Sequence, residues 1–113
     1  MQSYAQLKDV LQGEELQQHH LIPKSLFMHG PRETRDLIDY IPSVPLSGAE
    51  HLKTLHSVLN DYLKGHGLWQ RDLSATELSH AVHLCARFYA ERGLNHFAQA
   101  IREFAEKVIE KIR

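Results

Sequence analysis

Apolar residues in the second half of the chain recur at helical spacing. Leu78, Val82, Cys85 and Phe88 with Tyr89 form one stripe; Phe97, Ile101, Phe104, Val108 and Ile112 form another. Steps of three and four residues keep such positions on one side of a helix. Ser74-Ala-Thr-Glu77 has the form of a capping box and Gly93 that of a stop, so one helix is predicted from the box to about Arg92. A last helix follows from about Asn95 or His96, and the two stripes are expected to pack together as a hairpin over about 74–113. A further box, Ser47-Gly-Ala-Glu50, opens a helix that runs to about Lys64, before Gly65-His66-Gly67. At about 100° per residue, Leu52, Leu55, Val58, Leu59, Tyr62 and Leu63 share one face of it, and Lys53, Ser57, Asp61 and Lys64 the opposite one.

The first half is less periodic. Ser3-Tyr-Ala-Gln6 and Gly13 bracket a short helix over 4–12, and residues 16–22 read as extended, closed by Pro23. The next stretch is expected to be irregular up to the break at Gly30-Pro31, with Pro31 starting a short helix over 32–38. Ile41, Val44 and Leu46 suggest an extended segment over 40–46, whose two prolines restrict it to a sheet edge. The expected fold is a single α+β domain over 1–113, mostly helical, with a small β-ribbon. No internal repeat or linker interrupts it.

Composition narrows the class. A chain of 113 residues supports one modest core, and its 42% apolar and 24% charged content is that of an ordinary globular protein. No run is long and apolar enough to suggest a membrane span, and the N-terminus lacks the order of a secretory signal. Cytoplasmic action is the expectation, which also fits the tip of a secreted toxin. The single Cys85 allows neither an internal disulfide nor a zinc knuckle, so any metal site must rest on His, Asp or Glu. Histidine is the anomaly: nine of 113 residues, against roughly 2% in ordinary compositions. The net charge of −1 weighs against nucleic-acid binding, although charge can be local and a bound cation adds to it.

Four of the histidines suggest a shared site. His19 and His20 lie together in Gln-Gln-His-His-Leu-Ile-Pro-Lys-Ser, and His51 and His56 fall on the two borders of the apolar face of the 50–64 helix. Adjacent side chains on an extended segment point apart, so one imidazole can ligate an ion while the other holds a water beside it. Two ligands on one helix usually stand four residues apart, whereas His51 and His56 stand five apart, roughly 140° round the axis. His56 with Asn60 has the better spacing. The remaining histidines have plainer readings. His80 and His83 flank an apolar stripe and read as structural, while His29, His66 and His96 lie in or beside turns and read as solvated. Trp69 reads as a core anchor, and the charged run 102–111 as a solvated helix face.

The order His-His-Leu-Ile-Pro-Lys-Ser, extended Pro-Ser-Val-Pro-Leu-Ser, then Gly-Ala-Glu-His51 opening a helix resembles the HNH, or ββα-metal, nucleases, in particular toxin domains of bacterial polymorphic toxins. The resemblance covers about residues 16–64. It implies that His19 binds a divalent ion, that His20 is the general base, and that His51 and His56 complete the metal shell. The ion would be Zn, Ni, Mn or Mg; imidazole ligands suit Zn and Ni, whereas Mg prefers oxygen. The partner implied is nucleic acid, DNA ahead of RNA, with an immunity protein as a second partner. Lys24, Arg32 and Arg35 lie next to the motif and are candidates for holding substrate phosphates. The chain departs from the family in the His51–His56 spacing and in lacking the Asn that often precedes the helix, where Asp39 and Ser43 are the nearest polar residues. The rival class is a non-catalytic helical interaction module with a structural metal or none. A metal phosphohydrolase of the HD type is a weak third class, since it needs an adjacent His-Asp pair and this chain has none.

Overall fold

The computed structural model describes residues 2–3, 18–45 and 50–112, with side chains over 20–44 and 55–112. Its elements in chain order are β1 (Gln2–Ser3), β2 (Gln18–His20), α1 (Ser25–Met28), a 3-10 segment (Arg32–Tyr40), β3 (Pro42–Pro45), α2 (Glu50–Gly65), α3 (Ala75–Glu91) and α4 (Asn95–Ile112). The described chain is mostly helical, and none of its helices is long and apolar enough to cross a membrane. The short helix expected over 4–12 and the capping box at Ser47 lie outside the described residues.

The strands form a small antiparallel ribbon in the order β1-β3-β2. Gln18, His19 and His20 stand opposite Pro45, Val44 and Ser43, while Gln2 and Ser3 stand opposite Ser43 and Pro42. β3 is therefore the central strand, which corrects its placement as an edge. Pro42 and Pro45 occupy the two ends of a four-residue strand, where a missing N–H interrupts the ladder least. Pro42 still accepts through its carbonyl, from the Leu21 N–H at 2.9 Å.

Leu21, Ile22 and Pro23 leave the ribbon into the core, and both aliphatic side chains are wholly buried. The next residues are more regular than expected, because α1 begins two residues after Pro23 and buries Leu26 and Phe27. Gly30 closes this turn at a tight approach: a Cβ there would stand 3.0 Å from both the Leu26 carbonyl oxygen and Leu78 Cδ2. Pro31 then precedes the 3-10 segment, whose three-residue repeat places Thr34, Leu37 and Tyr40 in one row. Thr34 and Leu37 are buried, and the Thr34 hydroxyl donates to the Pro31 carbonyl at 2.6 Å.

The three long helices enclose most of the core. Ser74 caps α3 in a complete capping box, accepting from the Glu77 N–H while the Glu77 carboxylate accepts from the Ser74 N–H. Gly93, at φ +77°, turns the chain into α4, and the Leu94 N–H donates to the Tyr89 carbonyl at 3.0 Å. α3 and α4 then pack along their length, burying Leu78, Val82, Cys85, Phe88 and Tyr89 against Phe97, Ile101, Phe104 and Val108. Tyr89 meets Phe97 edge-on at 5.7 Å, and Phe27 meets Phe104 in the same way at 5.7 Å, tying α1 to the hairpin. Leu59 and Leu63 of α2 are buried, with Leu55 and Tyr62 packed partly against the same core. Val58, expected on the apolar face, is 40% exposed. Trp69 packs half-buried against this core.

One part of the charged run does more than face solvent. Lys111 Nζ donates to Asp36 Oδ2 at 2.8 Å, and Lys107 Nζ lies 5.0 Å from the Tyr40 ring centroid. Both lysines reach across from α4 to the 3-10 segment.

Candidate functional site

The candidate site combines the end of β2 with the middle of α2, whose His56 acts electrostatically on His20. His20 is the last residue of β2 and stands opposite Ser43 of β3. Ser43 is buried, and its hydroxyl donates to the Ile41 carbonyl at 3.1 Å. His20 is half-buried with its Nε2 atom enclosed, and the Nε2 of His56 is enclosed in the same way. Asn60, one helical turn beyond His56, also buries its Oδ1. Residues four apart on a helix lie about 40° and 6 Å from each other, so His56 and Asn60 share a side of α2.

Electrostatics link His20 to its neighbours. Burial, the positive charge of Lys24 and the His56 ring together lower the His20 pKa from the ordinary 6.5 to about 4. Each disfavours the imidazolium form: burial removes its hydration, and nearby positive charge repels it. Burial alone lowers His56. At neutral pH both rings are therefore neutral, the form in which imidazole accepts a proton or ligates a metal.

Lys24 is exposed at the start of α1, four residues after His20, and its charge opposes that of the His20 imidazolium. Arg32 and Arg35 are exposed on the 3-10 segment. His19 is paired with Val44 in the ribbon and His51 lies in the first turn of α2, but both side chains lie outside the described ones. Asp39 is exposed. His29, His66, His80, His83 and His96 are all exposed and belong to other parts of the surface.

Asn60 Oδ1 is enclosed and accepts no hydrogen bond among the described residues, a deficit that an ion or ordered water would relieve. Among the described residues no group of three or more His, Cys, Asp and Glu side chains stands together as a metal cluster. The side chains of His19 and His51 lie outside the described ones. Asn60 was visible in the sequence through its spacing from His56. The closeness of Lys24 to His20 had no sequence signal beyond proximity in the chain.

Comparison with models of protein families, with curated proteins and with solved structures gives no match.

Proposed function

We propose that this chain is a metal-dependent endonuclease of the HNH, or ββα-metal, type that hydrolyses phosphodiester bonds of nucleic acid and serves as the toxic domain of a bacterial effector. The single observation that carries the reading is that His56 of the following helix and Lys24 both act electrostatically on His20 of the ribbon. The order strand β2, strand β3, helix α2, with histidines on the first strand and the helix, supports it.

His20 has the role of general base. It is neutral at pH 7, and it takes a proton from a water whose oxygen forms a bond to phosphorus while the bond from phosphorus to the 3′ oxygen breaks. The departing oxygen is protonated by solvent. A base with a pKa near 4 is weak, but an incoming phosphate carries negative charge, which favours the imidazolium and moves the pKa upward as substrate binds. Lys24 holds the phosphate that brings this charge; Arg32 and Arg35 hold its neighbours. His56, with His19 and His51, or with Asn60 in place of one of them, would hold a divalent ion. When bound, that ion supplies charge relief at the phosphate and the leaving oxygen, worth several kcal/mol.

The rival reading, a non-catalytic helical interaction module, draws its support from the near-neutral charge of −1. The two part in a plasmid-nicking assay with Mg, Mn, Ni or Zn against an EDTA control, followed by the same assay on RNA. Metal-dependent cleavage supports the nuclease, and absence of cleavage on both substrates favours the module.

A further inference from the structure

A second feature of the surface has the chemistry of a nucleotide subsite. Between the 3-10 segment and α4 lies an open groove of about 470 Å³ lined by Leu37, Tyr40, Lys107, Glu110 and Lys111. Tyr40 is 51% exposed, an unusual state for so large a ring. Lys107 Nζ stands 5.0 Å from its centroid, and Lys111 Nζ is fixed by Asp36 Oδ2 at 2.8 Å. Leu37 forms a buried apolar floor.

We propose that this groove takes one nucleotide unit of a single strand, its base stacked on Tyr40 and its phosphate beside Lys107. A half-exposed aromatic ring with a cation over one face is the elementary means of holding single-stranded nucleic acid, because every base has a stacking face and every unit a phosphate. Lys107 is the ammonium for the phosphate, since the carboxylate of Asp36 already engages Lys111. Glu110 opposes a phosphate on its own side and is an acceptor for base amino groups, which orients the unit with its base toward Glu110 and its phosphate toward Lys107. A double helix, with its bases stacked inside, cannot use the ring.

The groove also lies within reach of the candidate centre. Tyr40 is three residues before Ser43, and Ser43 stands opposite His20. Successive Cα atoms are about 3.8 Å apart and paired ones about 5 Å, so Tyr40 and His20 are no more than about 16 Å apart along the backbone. That spans a few nucleotide steps of one strand. The assignment rests on the nuclease reading for its link to cleavage, but binding at the groove does not require catalysis.

The test is binding of fluorescein-labelled dT and U 12-mers, and of a 12-bp duplex, to the full chain in EDTA. Tyr40→Ala is expected to weaken single-strand binding about 5- to 150-fold, the range of one lost base stack. Tyr40→Phe keeps the ring and should bind like the wild type, and circular dichroism of each variant checks the fold. Lys107→Gln should reduce the slope of log affinity against log salt by about 0.7. Comparison of dT with U shows which sugar is preferred. The subsite is overturned if neither oligonucleotide binds, if Tyr40→Ala binds like the wild type, or if the duplex binds equally and with the same loss. Tyr40-dependent binding without metal-dependent cleavage would uphold the groove and remove the nuclease. Cleavage with binding indifferent to Tyr40 would do the reverse.

Discussion

The most informative perturbation of the candidate site is protonation of His20. Its pKa is lowered from 6.5 to about 4 by burial, then by Lys24 and His56. The unfolded chain therefore binds a proton near pH 6.5 that the folded chain refuses until about pH 4, and stability falls with pH across that interval. Above about 6.5 His20 contributes no pH dependence, and below about 4 the penalty is constant. At about 1.36 kcal/mol per pKa unit the full shift corresponds to about 3 kcal/mol. His20 is only half-buried, so solvent screening reduces this to about 1–2 kcal/mol. His56 shifts in the same direction, and the lowered carboxylates of Asp36 and Glu77 also lose stabilising interactions on acidification. The His20 share must therefore be isolated. In EDTA, the His20 ring resonance, assigned by its disappearance in His20→Gln, should titrate near pH 4. The stability of wild type minus that of His20→Gln, from urea unfolding, should fall by about 1–2 kcal/mol between pH 7 and pH 4. Lys24→Met should raise the titration midpoint. A His20 midpoint at 6.5 or above, or a difference indifferent to pH, would refute the placement of this ring beside Lys24 and His56.

Three further outcomes test the frame that holds the site. Phe104→Ala should cost about 3–5 kcal/mol in urea unfolding, because the ring is buried in α4 and packs edge-on against Phe27. Tyr89→Phe should leave stability unchanged or raise it by about 1 kcal/mol, since the enclosed hydroxyl has no hydrogen-bond partner among the described residues; a clear loss in the same assay would show a partner. Ser74→Ala should lower stability by about 1 kcal/mol through loss of the α3 cap, read as a lower urea midpoint with an unchanged slope.

The helical part of this fold was legible because its signals are local. The box at Ser74 and the stop at Gly93 lie beside the stripes they bound, and the structure places α3 and α4 where spacing predicts them. β3 was harder to read. Its prolines argue for an edge, and only the shortness of the ladder makes a central strand tolerable. α1 was missed because four residues are too few to show a period. The reach of Lys107 and Lys111 to the 3-10 segment is a tertiary contact between residues far apart in sequence, invisible to any reading of local charge pattern. At the site, the angular position of His56 beside Asn60 was readable from helix geometry, and both bury polar atoms. The depression of the His20 pKa was not readable, since it depends on burial and on the charges of Lys24 and His56 that the fold brings to act on the ring.

The central claim is that His20 acts on water while His56 serves the metal shell. It is tested most directly by comparing His20→Ala and His56→Ala in plasmid cleavage and in calorimetric titration with the activating metal. His20→Ala should stay folded and bind the metal like the wild type while cleavage falls about 10²–10⁴-fold. His56→Ala should weaken the metal itself. A His20→Ala protein that cleaves at the wild-type rate would show that His20 is not the base.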